Sequence, residues 1–384
     1  MFDMLRITRG EESKLTDWYY EIDRKLLVMI LLLVGIGFIT MITAGSAEAA
    51  RMGRPWFFYI QQGFIPYTLG LVCLFGFSML NKQQIIRLSV VGLIAGIGAL
   101  LFTLVHPIYI NGSARWVDIG GLRFMPADIL KPFFIVITAW FLSYMHKLYG
   151  SDIFLNREAW RFKWQSWWPY IFVFLLCAIL IFKHPDVGTA ALYFGVLFIM
   201  LFVAGFPWKF MPAMFGVGIA LVAAAFAFMP HIRSRAAHIF DIVPRTQAWY
   251  SINSIKHGGL FGSGDEAYVK DVLPESINDF VYASFAEDWG AIIACALVLL
   301  LFFVFKNLIR HAVSARDDFV VYALAGAAAV FAGQICFNLM TALHLVIDKG
   351  MTLPFVSYGG VSFITFCILF GMMLALIRED TWNK

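Results

Sequence analysis

Long uncharged apolar runs alternate with short polar stretches along almost the whole chain. A helix of about 20 apolar residues crosses a hydrocarbon core of about 30 Å. Ten segments fit that length, at roughly 26–45, 57–80, 88–108, 129–146, 168–183, 189–206, 210–229, 281–305, 319–343 and 361–377. They predict an all-α integral membrane protein of about ten transmembrane helices. Residues 1–25 then form a cytoplasmic N-terminal segment, 26–377 the membrane domain and 378–384 a short tail. Orientation follows from the basic residues, which concentrate on the cytoplasmic side of short loops. Arg24, Lys25, Lys82, Arg87, Lys147, Arg157, Arg161, Lys163, Lys306, Arg310, Arg316 and Arg378 fall on one side, which puts both termini inside.

One connection breaks the pattern. Residues 230–280 join spans seven and eight on the outside, whereas connections in helix bundles usually run to two to eight residues and long ones are commonly functional.

Composition agrees with the membrane reading. Of the 384 residues 61% are hydrophobic and only 14% charged, and mean hydropathy is +0.77. Soluble domains are about 45–50% apolar. A net charge of +4, carried mostly beside the spans, reads as topology and gives no nucleic-acid surface. The five cysteines lie inside apolar runs without metal-ligand spacing, as packing residues.

Four polar groups fall at the outer ends of spans, where ionisable residues are costly and default to functional candidates. The first is Asn111 to Trp116 with Arg123, Asp128 and Lys131, the last pair at i, i+3 and able simply to neutralise each other. The second, Lys183 to Thr189, is either part of a site or a tight turn with Asp186 capping the next helix. The third holds Glu275 and Asp279, with Glu287 and Asp288 two turns into the eighth span. At the membrane boundary desolvation raises a carboxyl pKa and a nearby cation lowers it, so Asp279 suits either acid or base work. The fourth, Asp348 to Ser362, is rich in glycines and hydroxyls, which let backbone N–H groups approach phosphate oxygens. Cations, a glycine-hydroxyl loop and a carboxylate at one face describe a site for an anionic lipid-linked substrate. The histidines form no metalloprotease or Ser-His-Asp pattern.

At these residues the chain resembles the SEDS family (shape, elongation, division and sporulation), which includes FtsW, RodA and SpoVE. The likeness covers nearly the whole chain. It rests on Arg115-Trp116, Pro126-Ala127-Asp128 with Lys131, Pro185 to Thr189, Gly258 to Gly262, Leu273-Pro274-Glu275 with Asp279-Phe280, and Lys349-Gly350 through Pro354 to Gly360. Asp17 to Tyr20, Asp23-Arg24 and Val269-Lys270 look more like the FtsW-type division branch. The chain departs from the family pattern at His184, Ile277-Asn278, Ile347-Asp348 and Val361, and none of these removes the loop carboxylate.

The resemblance implies a peptidoglycan glycosyltransferase polymerising lipid II, an undecaprenyl-pyrophosphate-linked disaccharide-pentapeptide, outside the bacterial inner membrane at the division septum. By position Asp279 matches the family's essential loop aspartate and is expected to be catalytic. Arg115, Trp116, Lys131, Glu275, Lys349 and Ser357 are the expected substrate-binding residues. A divalent cation (magnesium or manganese) is the expected cofactor, with no organic one. The expected partners are a class B penicillin-binding transpeptidase and other divisome membrane proteins. The alternatives are a lipid II flippase, a RodA-type elongation polymerase and a division scaffold. A flippase calls for determinants at mid-membrane and on both faces, whereas the groups here share one face.

Overall fold

The computed structural model describes residues 14–110, 113–119, 122–184, 186–228, 244–346 and 350–382. Lys349, Asp348, Pro185, Asn111 and the stretch 229–243 lie outside the described residues. In chain order the helices are α1 Lys14–Glu21, α2 Arg24–Arg51, α3 Phe58–Ser78, α4 Lys82–Val105, α5 Pro126–Tyr149, α6 Trp167–Lys183, α7 Val187–Val203 and α8 Met211–Phe228. They continue with α9 Gln247–Gly258, α10 Val269–Val272, α11 Val281–Ser314, α12 Asp318–Ala342 and α13 Gly360–Trp382. Seven of them, α2 to α5 and α11 to α13, are long and apolar enough to cross a membrane, and α6 and α7 are shorter apolar helices. Helix α8 is apolar over 18 residues. Each of the ten predicted segments falls on one helix, so the chain is a helical membrane protein.

Helix ends reach beyond the apolar runs because capping side chains set them. The Asp23 carboxylate accepts from Leu26 N at the start of α2, Asn81 and Gln84 form a capping box on α4, and Asp317 accepts from Phe319 N on α12. Between α4 and α5 the chain forms a small antiparallel sheet absent from the sequence reading, β1 Ile108–Ile110, β2 Ser113–Ile119 and β3 Leu122–Phe124 in order β1-β2-β3. Its β-branched and aromatic residues are too few to outweigh the surrounding spans in a hydropathy pattern.

Helices α5, α12 and α13 form the enclosed centre, with α3 and α4 against them and α2 against α11. Lipid tails are as apolar as leucine, so close packing at small residues does what the hydrophobic effect does in water. On α13, a methyl on Gly371 would sit 2.7 Å from Leu74 O, and on α2 Gly37 admits the Phe355 carbonyl. Phe355, at φ 65°, drops its ring among Phe331, Phe363, Phe366 and Phe370. The loop between α12 and α13 is thereby anchored in the bundle.

The two ends of the bundle differ. At one, ion pairs tie the helices together: Lys82 to Asp317, and His311 Nε2 to Asp23 Oδ2 at 2.5 Å. Burial would raise the Asp317 carboxyl, but hydrogen bonds from Lys82 and Phe319 N and the charges of Lys82 and Lys147 outweigh it and hold the group below the ordinary carboxylate range. The other end carries the candidate site.

Candidate active site

Asp279 closes a tight turn, 274–280, that leads into α11, and it is half-buried. A second loop, 350–359, lies against that turn. Tyr358 N donates to Ile277 O at 3.0 Å, and the buried Ser357 hydroxyl accepts from Leu353 N at 2.8 Å while donating to Asn278 O at 2.7 Å. Ser357, a candidate substrate contact, is thus spent as a clasp between the loops, one residue before Asp279. The Asp279 carboxylate lies directly over Gly350: a methyl there would sit 2.6 Å from Oδ2. Glycine here makes room for the carboxylate itself.

Helix α12 fixes both loops from beneath. Asn338 Nδ2 donates to Asp279 O at 3.0 Å and to Met351 O at 2.7 Å. One turn earlier, Gln334 Nε2 reaches Thr352 O at 3.0 Å and Thr352 Oγ1 at 3.1 Å, while its Oε1 accepts from Lys131 Nζ at 3.1 Å. The sequence reading missed Gln334 and Asn338. Their signal was there: two amides at i, i+4 in an otherwise apolar span put two costly groups on one helical stripe.

Lys131 is only 5% exposed and bonds Asp128 Oδ1 at 2.6 Å as well as Gln334. The local neutralisation open to the i, i+3 pair is therefore made, and the same ammonium also supports the 350–359 loop. Glu275 is exposed at φ 56° and accepts from Asn278 Nδ2 at 2.8 Å within the Asp279 turn. The buried Ser276 beside it donates to Glu48 Oε2 at 3.2 Å, and Glu48 is paired with Arg51. This link from the end of α2 to the turn is a second feature that hydropathy alone hides. Trp116 is half-buried on β2 opposite Ile108, and Arg115 occupies the neighbouring strand position. Lys349 precedes Gly350 and lies outside the described residues. Burial, with Tyr59 adding to it, pushes the Tyr358 phenol up to about 12, so it stays protonated.

The other outer groups make structural contacts. Glu287 is fully buried in α11 and accepts from Tyr268 N at 3.0 Å, Val269 N at 2.8 Å and Lys270 N at 2.7 Å, with Ser254 and His257 also bound. Three residues on, α11 breaks at Gly290, where φ is 79°. The backbone groups around the break are paired by the glycine segment: Ser263 N donates to Glu287 O at 2.8 Å, and Ala291 N donates to Gly259 O at 2.9 Å. Gly258 and Gly262 approach Ala286 O and Asp288 O so closely that no side chain fits. The Gly258 to Gly264 segment therefore builds the kink rather than cradling phosphate. Asp186 caps α7 through Thr189 N at 3.0 Å, and His184 is buried against Thr103 and Leu180 O.

Among the described residues no three His, Cys, Asp or Glu side chains converge on one point. The site thus offers the Asp279 carboxylate held at a loop junction and, among the described residues, no protein cage for an ion.

A family model described as "Cell cycle protein", FTSW_RODA_SPOVE, matches residues 24–381. A Caulobacter vibrioides protein named "Probable peptidoglycan glycosyltransferase FtsW" is 29% identical over 382 residues, covering 97% of this chain and 93% of its own. A protein of the same name from Saccharophagus degradans is 30% identical over 395 residues, covering 95% and 96%. Among solved structures, the Thermus thermophilus rod shape determining protein RodA superposes with a TM-score of 0.67 at 23% identity, covering 94% of this chain and 97% of that one. A chain from a structure described as "Structural coordination of polymerization and crosslinking by a peptidoglycan synthase complex" gives 0.74 at 23%, covering 94% and 98%. At that identity the likeness speaks for the fold.

Proposed function

Because the chain belongs to the FtsW/RodA/SpoVE family of cell cycle proteins over residues 24–381, we propose that it is a peptidoglycan glycosyltransferase that polymerises lipid II during septal wall synthesis. The observation that carries this reading is the setting of Asp279. Its backbone is held by Asn338, its turn is clasped by Ser357, and its carboxylate lies against Gly350 at one end of the bundle.

In the reaction, the acceptor sugar's 4-hydroxyl attacks the donor's anomeric carbon. The new C–O bond forms as the bond to pyrophosphate breaks, and Asp279 takes the hydroxyl proton. A general base of this kind contributes roughly 10²–10⁴-fold. The departing pyrophosphate needs fixed positive charge, and Arg115 and Lys349 are the cations proposed to meet it. Lys131, with two of its three N–H donors on protein oxygens, acts more through Gln334 and the 350–359 loop than by touching substrate. The sequence carries no paired-carboxylate signature for a covalent intermediate, which supports an inverting displacement. A divalent cation, magnesium or manganese, belongs to the proposal as an ion carried on the substrate's pyrophosphate. Magnesium commonly binds through phosphates plus one or two carboxylates, and when bound it would supply positive charge for the leaving group.

The proposal also takes ten spans, both termini in the cytoplasm, an inner-membrane location at the septum, and a class B penicillin-binding transpeptidase among divisome partners. Purified protein given labelled lipid II, with and without that transpeptidase, should produce a glycan ladder on a gel. Absence of polymer under every partner condition, together with lipid II crossing vesicle membranes, would establish the flippase instead.

A further inference from the structure

At the end of the bundle opposite Asp279, a groove of about 550 Å³ opens between α2 and α11. Helix α2 contributes Arg24 and Lys25 with Val28 and Met29 a turn deeper, and α11 contributes Lys306 and Arg310 around Phe303 and Asn307. The spacing on α11, i, i+3 and i+7, puts Phe303, Lys306 and Arg310 on one stripe facing α2. The groove is thus cationic at its mouth and apolar below. Charge complementarity is one-sided: among the described residues, Lys25, Lys306 and Arg310 have no carboxylate within ion-pair distance. Asp23, one residue before Arg24, is held by His311 and Leu26 N.

Two further observations bear on the occupant. Asn307 has a buried amide oxygen without a protein partner, so the groove wants a hydroxyl or amine donor as well as an anion. Tyr19 and Tyr20 on α1 are exposed beside the groove, and Arg24 lies 4.6 Å from the Tyr19 ring centroid. Exposed tyrosines of this kind mark headgroup depth in a bilayer. We infer that the groove between α2 and α11 binds an anionic phospholipid, its phosphodiester against Lys25, Lys306 and Arg310 and its tails along Val28, Met29 and Phe303. Clustered cations at a membrane surface attract anionic lipid by about fivefold per Lys or Arg. Gathering three unpaired ones over an apolar floor turns a diffuse attraction into a site.

The test is native mass spectrometry of the intact protein released from nanodiscs of phosphatidylglycerol and phosphatidylcholine in equal amounts. Wild type should keep phosphatidylglycerol over phosphatidylcholine. The triple variant Lys25→Gln, Lys306→Gln, Arg310→Gln should lose at least tenfold of that preference. The control triple Arg157→Gln, Arg161→Gln, Lys163→Gln, in a loop at the same end of the bundle, should keep it. Equal loss in both triples would reduce the effect to net charge and overturn the site. As a second reading independent of folding losses, Phe303→Trp fluorescence should be quenched by phosphatidylglycerol with brominated tails and not by the phosphatidylcholine equivalent. Equal quenching by both, or displacement of the lipid by millimolar inorganic phosphate, would also overturn it. Neither readout involves glycan synthesis, so the outcome is separate from that of the polymerase proposal.

Discussion

Gly350 shows how much can hang on a missing methyl group. Its hydrogen leaves the space that the Asp279 carboxylate fills, and a Cβ there would come 2.6 Å from Oδ2. Gly350→Ala should therefore push the carboxylate aside while leaving the spans intact. A misplacement of about 1 Å can cost about 100-fold in rate. Polymerisation by the purified variant should fall by about that factor, with thermal stability close to wild type. Wild-type turnover would mean that Asp279 does not work from the position described. The sequence marked Gly350 only as part of a glycine-hydroxyl loop; which atom the glycine accommodates depends on a residue 71 positions earlier, which no local pattern encodes. The same limit applied to Ser357. A serine in such a loop reads as a phosphate ligand until its two partners, Leu353 N and Asn278 O, are seen.

Elements were legible where burial in lipid decides them and illegible where polar pairing does. Hydropathy located every long helix, yet the predicted 281–305 span runs on to Ser314, because Lys306, Asn307 and Arg310 extend it beyond the apolar stretch. It also gave no hint of the break at Gly290, which exists because residues 258–263 supply the hydrogen bonds that the helix gives up. Gly258 and Gly262 make their close approach to the α11 backbone. Because Glu287 binds this segment from inside, residues 254–270 are fixed at the same end as Asp279. A cysteine placed at the exposed Asp265 should accordingly react with a membrane-impermeant maleimide in intact cells, whereas one at Arg157 should need permeabilisation. The reverse pattern would invert the topology and put Asp279 on the cytoplasmic face.

Across the whole molecule, polar groups are divided between two ends with different tasks. One end uses pairs such as Lys82 to Asp317 and Asp23 to His311 to lock helices, and sets Lys25, Lys306 and Arg310, without a carboxylate partner among the described residues, over a groove. The other gathers two loops and the ends of α5 and α12 around the Asp279 turn. A flippase calls for determinants at mid-membrane and on both faces, whereas the groups gathered around Asp279 share one end of the bundle. Asp279→Asn separates the proposed role of Asp279 as base from its place in the fold, since the amide keeps size and hydrogen-bonding reach but loses the basic oxygen. The measurement is glycan polymer formed from labelled lipid II by the purified variant, with and without the proposed transpeptidase, alongside lipid II binding and thermal stability. Normal folding, binding within a few-fold of wild type and polymerisation reduced by at least about 100-fold are expected. Polymer at the wild-type rate would rule Asp279 out as the base.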